Sequence, residues 1–263
     1  MRRLAILTIC SLAAAAAFAQ APPANAPTAP KKVVKTGPGP KTPAEQQAVQ
    51  ALLQAQMPDD VIKAADELVT KFPSTDFKAF ALEREGEAYQ QKNDNAKAIV
   101  YGEQALEADP MNFDADNLLA NVLAATTRDT DLDKEEKLAK ADKYSHDALT
   151  TLEGPKPWMY GDAQWPLVKA AAASQAYQAL GNAALVRKKT DEAVADFQKG
   201  IDANPDHPDP ILMIRVGRAL LTAKKADEAI VWFDKAINAP NVPAQIKSIA
   251  QNDKARAQQS KGK

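Results

Sequence analysis

Residues 177–205, YQALGNAALVRKKTDEAVADFQKGIDANP, and residues 213–240, MIRVGRALLTAKKADEAIVWFDKAINAP, decide the fold of this chain. Laid over each other, they keep one offset of 36 residues throughout. Gly181 falls on Gly217, Asp191-Glu192-Ala193 on Asp227-Glu228-Ala229, Phe197 on Phe233 and Ile201 on Ile237. Chance would not hold an offset fixed over such a length. Within each copy the apolar residues return at the helical period, in two runs separated by a polar turn. Each copy therefore predicts two helices packed on each other. Gly181 and Gly217 on the first helix, with Ala193 and Ala229 on the second, let the two helices approach closely. Tyr177, Leu180, Phe197 and Phe233 fill the space around that contact.

An earlier copy runs Leu82, Gly86, Tyr89, Ala98, Ala105-Leu106 and Pro110. Its Gly86-to-Ala98 spacing of 12 is repeated from Gly181 to Ala193 and from Gly217 to Ala229. The pattern of a large residue, Leu-Gly, a large residue, Ala, an aromatic, Ala and Pro resembles the tetratricopeptide repeat. The resemblance covers about residues 42–259 and is carried most fully by 174–240. Degenerate copies occupy 43–73 and 113–152, the latter with extra residues around Thr126 to Lys137. Two positions depart from the pattern: Gly102 stands where an aromatic belongs, and Glu85 where Leu belongs.

No stretch alternates as a strand would, and the many Ala, Gln, Lys and Glu against 10 Gly suit helices. The expected fold is all-α: a solenoid of about five antiparallel helix pairs, at 43–73, 79–110, 113–152, 166–205 and 210–240. A polar amphipathic helix at 243–259 caps the stack. One pair cannot bury its apolar face alone, so the pairs must pile on one another. Thr42-Pro43-Ala44-Glu45 reads as the first helix start, with Thr as cap and Glu three residues on.

The resemblance implies a groove lined by the first helix of each pair, which in the family takes an extended or helical peptide. Carried over, its inward positions are Glu83, Glu87, Gln90, Asn117, Asn121, Gln178, Asn182, Ile214, Arg215 and Arg218. Asn and Gln there would hydrogen-bond a peptide backbone; the arginines would meet an acidic side chain or a chain terminus. The family's carboxylate clamp is incomplete, because Ile211 and Ala179 stand at two of its positions, so that partner is not expected.

Gly154 to Pro166 lies outside the repeat and holds two of the three tryptophans. Trp158, Tyr160 and Trp165 would serve either as a contact surface for a partner or as a plug packed on the stack. Asp129-Thr130-Asp131-Leu132-Asp133 begins like a calcium loop, but Lys134 and Lys140 take the places of its Gly and Glu. It is better read as a solvated insert whose last Asp caps a helix. The two histidines, His146 and His207, have no nucleophile or metal partner near them in sequence. Neither a catalytic constellation nor a metal or cofactor site is expected.

The N-terminus reads as an export signal. Arg2 and Arg3 precede an uncharged stretch from Leu4 to Phe18, and Ala17-Phe18-Ala19 supplies small residues for cleavage before Gln20. A retained anchor is the alternative reading. Residues 20–41, rich in Pro, Ala and Lys, form a linker with little to bury. The only cysteine, Cys10, lies in the signal, so the mature chain of 244 residues would have no disulfide or thiol nucleophile. Residues 1–41 hold six basic and no acidic side chains, which leaves 27 basic and 34 acidic from residue 42 onward. That net of −7 argues against nucleic acid as a partner.

The expected protein is thus exported to the periplasm or secreted, spans no membrane after cleavage, and acts as a non-enzymatic scaffold or adaptor of the bacterial envelope, holding a protein or peptide. A self-assembling structural protein of the envelope is the alternative.

Overall fold

A computed structural model describes residues 37–261. The expected signal at 1–19 and the linker up to residue 36 lie outside the described residues. Eleven α-helices and no strand are found among the described residues. They are α1 (Pro43–Gln54), α2 (Pro58–Lys71), α3 (Lys78–Gln91), α4 (Asn95–Ala108), α5 (Phe113–Thr126), α6 (Lys134–Leu152), α7 (Trp165–Val186), α8 (Thr190–Asp202), α9 (Pro210–Thr222), α10 (Ala226–Asn238) and α11 (Ala244–Ser260). Each odd helix packs on the even helix after it, and each even helix packs on the next odd one. The result is a stack of five antiparallel pairs with α11 closing the last.

Local chemistry starts the helices. Thr42 Oγ1 accepts from the Glu45 N–H at 3.1 Å, while Glu45 reaches back to the Lys41 N–H. Asp94, Asn112 and Asp209 accept from the first turns of α4, α5 and α9 in the same way. Asp133 sits at the start of α6 but does not cap it: its carboxylate pairs with Lys137 at 2.9 Å. The lysine one turn along offers a charged partner in place of the backbone N–H.

Small residues shape the contact inside each pair. A Cβ added to Gly181 would lie 2.5 Å from Cδ1 of Phe197, and one on Gly217 would lie 2.5 Å from Cε1 of Phe233. Both rings are fully buried, so each glycine is the floor on which a ring rests. In the second pair Gly102 takes the aromatic's place, and the next pair fills the gap. Leu118 of α5 comes to 2.8 Å from where a Gly86 Cβ would be, and Leu119 to 2.9 Å from that of Gly102. Glu85, the other departure, is buried; burial pushes its carboxyl up to about 7, and hydrogen bonding from Tyr101 of α4 pulls it back in part.

The turns inside three pairs share one conformation. Asn93, Lys188 and Lys224 are left-handed, at φ 61°, 62° and 62°, each seven residues after its pair's glycine. The residue after each donates its N–H to a carbonyl five residues back, closing the last turn of the helix. The lysine Cβ is strained in that conformation, and glycine has none. We expect Lys224→Gly to raise the unfolding free energy by about 0.5–1 kcal/mol, measured by urea denaturation. A loss would show that the lysine makes contacts worth more than the backbone strain.

Candidate groove on the first helices

The odd helices touch one another as well as their even partners: α3 meets α5, α5 meets α7, and α9 meets α11. Their shared face carries the expected groove residues, and these divide into three kinds. Glu83, Asn117 and Ile214 are largely buried, at 5%, 3% and 3% exposure, though Glu83 and Asn117 still border open space at their tips. Ile214 belongs to the apolar core of the last two pairs.

A second kind is partly exposed but already engaged across the stack. Asn121 donates to the carbonyls of Asn117 and of Gln175, at 2.9 and 3.3 Å. Gln178 donates to Asn121 Oδ1 at 3.2 Å. Asn182 accepts from Arg215 at 2.8 Å, and Arg218 pairs at 2.6 Å with Asp253 of α11, a buried carboxylate. The buried Asn117 takes part too, donating to the Ala172 carbonyl at 3.1 Å. These amides and guanidinia tie α5 to α7, α7 to α9 and α9 to α11.

The third kind stays open. Glu87 and Gln90, with Asn121, Gln175 and Gln178 opposite, line a cleft of about 360 Å³ between α3, α5 and α7. Burial lowers Arg215, whose Nε finds no partner, and Asn117 Oδ1 is likewise buried without one.

Beside this cleft lies a cluster of carboxyls. Glu83 and Glu87 are one turn apart on α3, and Asp114 lies in the first turn of α5. Arg84 pairs with Glu87 at 2.8 Å. Burial, then Glu87 and Asp114, push the Glu83 carboxyl well above its ordinary range. Burial pushes Asp114 up to about 6, against the pull of the Tyr160 hydroxyl, which donates to it at 2.9 Å.

The aromatic segment after α6 turns back over this region. Tyr160 and Trp165 stack at 5.7 Å and both face Phe113 of α5, at 6.1 and 5.9 Å. Trp158 reaches further and meets Phe77 edge-on at 5.4 Å, while half of it stays exposed. Tyr160 and Trp165 pack on the stack, and Trp158 with Met159 offers apolar surface. Lys156 donates to the Tyr160 carbonyl and pairs with Asp162 at 3.4 Å, holding the loop in shape.

In the insert before α6, Asp129 pairs with Lys134 and Lys188 at 3.1 and 2.7 Å, and Asp131 with Lys137 at 3.7 Å. These acids tie the insert to the start of α6 and, through Lys188, to the turn after α7. Among the described residues no group of three or more His, Cys, Asp or Glu is gathered so as to hold a metal ion. Nor is any described helix long and apolar enough to cross a membrane.

The tetratricopeptide repeat family model matches residues 83–143 and 179–244. No curated protein matches the chain. Among solved structures, TTC0263, a thermophilic TPR protein of Thermus thermophilus, is similar at 13% identity and a TM-score of 0.55, covering 79% of this chain and 95% of that one. MamA from Desulfovibrio magneticus RS-1 is similar at 18% identity and a TM-score of 0.45, covering 74% of this chain and 92% of that one. The first of these likenesses speaks to the fold alone.

Proposed function

We propose that this chain, a solenoid of tetratricopeptide repeats, is a non-enzymatic scaffold or adaptor that holds a partner polypeptide along the face of its first helices. Repeats of this kind generally mediate protein–protein interaction, and the fold is typically an interaction scaffold. The observation that carries the reading is the open cleft between α3, α5 and α7. Its walls are amides and carboxylates, suited to a peptide backbone. The bridges from Asn121 to Gln175 and from Gln178 to Asn121 hold the α5 and α7 walls in place before any partner arrives, which lowers the ordering cost of binding.

The bacterial envelope is the proposed setting. It is supported by the positive start, uncharged stretch and small-residue cleavage site of residues 1–19.

The test is capture from an envelope extract by crosslinking and pull-down, with wild type beside a Gln90→Arg/Gln175→Arg variant. Both residues line the cleft, and arginine would fill it. The expected result is a specific partner whose recovery falls about tenfold in the variant, at an unchanged melting temperature. Failure to capture any specific partner, or equal recovery by both proteins, would overturn the reading. Concentration-dependent assembly seen by light scattering, with no partner captured, would point instead to a self-assembling structural protein.

A further inference from the structure

The carboxyl cluster at the head of the cleft is short of positive charge. Glu87 has Arg84, and Asp114 has the Tyr160 hydroxyl. Glu83 has neither. It is only 5% exposed, and the charged groups nearest it that act on its proton affinity in the same sense as burial are acids, Glu87 and Asp114. Arg84 draws its proton affinity down a little, but that guanidinium is already paired with Glu87. A buried carboxyl with acidic neighbours and no base of its own is held at a cost. A cation placed beside it would offset the cost of burial and the repulsion together.

Glu83 also lines open space on two sides. On one side lie Phe80, Met111 and Trp158; on the other lie Leu53, Met159 and Tyr160, in the same cleft as Glu87 and Asp114. Leu53 is 64% exposed, and Met159 is exposed as well. The acids therefore border an apolar shelf. The charge calls for a compact organic cation, and the shelf for a hydrocarbon stem or an apolar neighbour.

We propose that Glu83, Glu87 and Asp114 form a subsite for a lysine or arginine side chain of the partner polypeptide, with an adjacent apolar residue of that partner seated on Leu53, Phe80 and Met159. The inference rests on the reading of this face as a polypeptide-holding groove. It adds a charge preference opposite to that of a carboxylate clamp. The partner's cation would complete the charge balance of the cluster, and the expelled water would leave that pairing in a low-dielectric site where it is strongest.

The test uses fluorescence anisotropy on the full chain. The probes are fluorescein-labelled, end-blocked nonapeptides of Gly and Ser with a central Lys-Leu-Lys, Glu-Leu-Glu or Lys-Ser-Lys. Lys-Leu-Lys is expected to bind at least about tenfold more tightly than Glu-Leu-Glu, with Lys-Ser-Lys between them. A Glu87→Gln/Asp114→Asn variant should lose that preference while melting at or above the wild-type temperature. Leu53→Ser, at an exposed position, should weaken Lys-Leu-Lys toward Lys-Ser-Lys. Equal binding of the lysine and glutamate probes, no binding of either at millimolar protein, or an undiminished preference in the double variant would overturn the subsite. If that happens while Gln90→Arg/Gln175→Arg still abolishes capture of an envelope partner, the scaffold reading stands and only the charge preference falls.

Discussion

Gly181→Ala should lower the unfolding free energy by about 2–3 kcal/mol, and Phe197→Ala by about 3–5 kcal/mol, in urea denaturation followed by circular dichroism. The added methyl would stand 2.5 Å from the edge of a ring that is fully buried among the helices of the last two pairs. The ring cannot swing away, because Ala193, Ile201 and Leu212 belong to the same packed cluster. The specific content is a coupling. Phe197→Leu removes the ring edge, so Gly181→Ala should cost less in that background, by at least about 1 kcal/mol. Additive losses would show that the glycine matters for its backbone alone. Gly161→Ala is the control, since a Cβ there meets nothing within 4 Å.

The helix pairs could be read from the sequence because their signals are local. Apolar residues at the helical period, Asn-Pro and Asp-Pro breaks, and the fixed step from Gly181 to Gly217 each concern residues within one or two turns, or one exact copy. The groove was legible only in part. Asn117 commits its amide to a carbonyl 55 residues away, Gln178 to an amide 57 residues away, and Arg215 bonds one 33 residues away. No pattern within a repeat says which polar side chain a neighbouring repeat will claim. The repair of Gly102 was hidden for the same reason, since Leu118 and Leu119 come from the following pair. The aromatic segment could be seen as unusual, but the division between Trp158 and its two companions depends on Phe77 and Phe113, which lie far upstream.

Asp116→Asn should stabilise the protein by about 2–3 kcal/mol at about pH 8 and change little at about pH 4. Asp116 is 1% exposed, and its Oδ2 has no hydrogen-bond partner. Burial, with Asp147 adding to it and Lys143 opposing it, pushes the carboxyl from its ordinary 3.8 up to about 7. The sign follows from that direction. The folded chain holds this proton more tightly than the unfolded chain does. Stability is therefore full below the unfolded value and is lost as pH rises toward 7. Asparagine has no proton to lose, so the difference between the two proteins should open across that window. Glu85, raised to about 7 mainly by burial, works in the same sense. Wild type should accordingly lose stability as pH rises from about 4 to about 7. Denaturation midpoints across the range test this, and an Asn variant with the wild-type pH slope would remove Asp116 as its source.

A stack of helix pairs is close to one-dimensional: each pair leans on its neighbours, and under tension such an array peels from its ends in small steps. The edge-on contact of Trp158 with Phe77 breaks that rule, because it spans 81 residues and skips over a whole pair. With Tyr160 fastened to Asp114 on the way, the segment acts as a clasp around the front of the array. Force applied at the N-terminal end would be shared with the start of α7 and would not fall on α1 and α2 alone. The first rupture would then be a large one, taking the clasp and the pairs beneath it together.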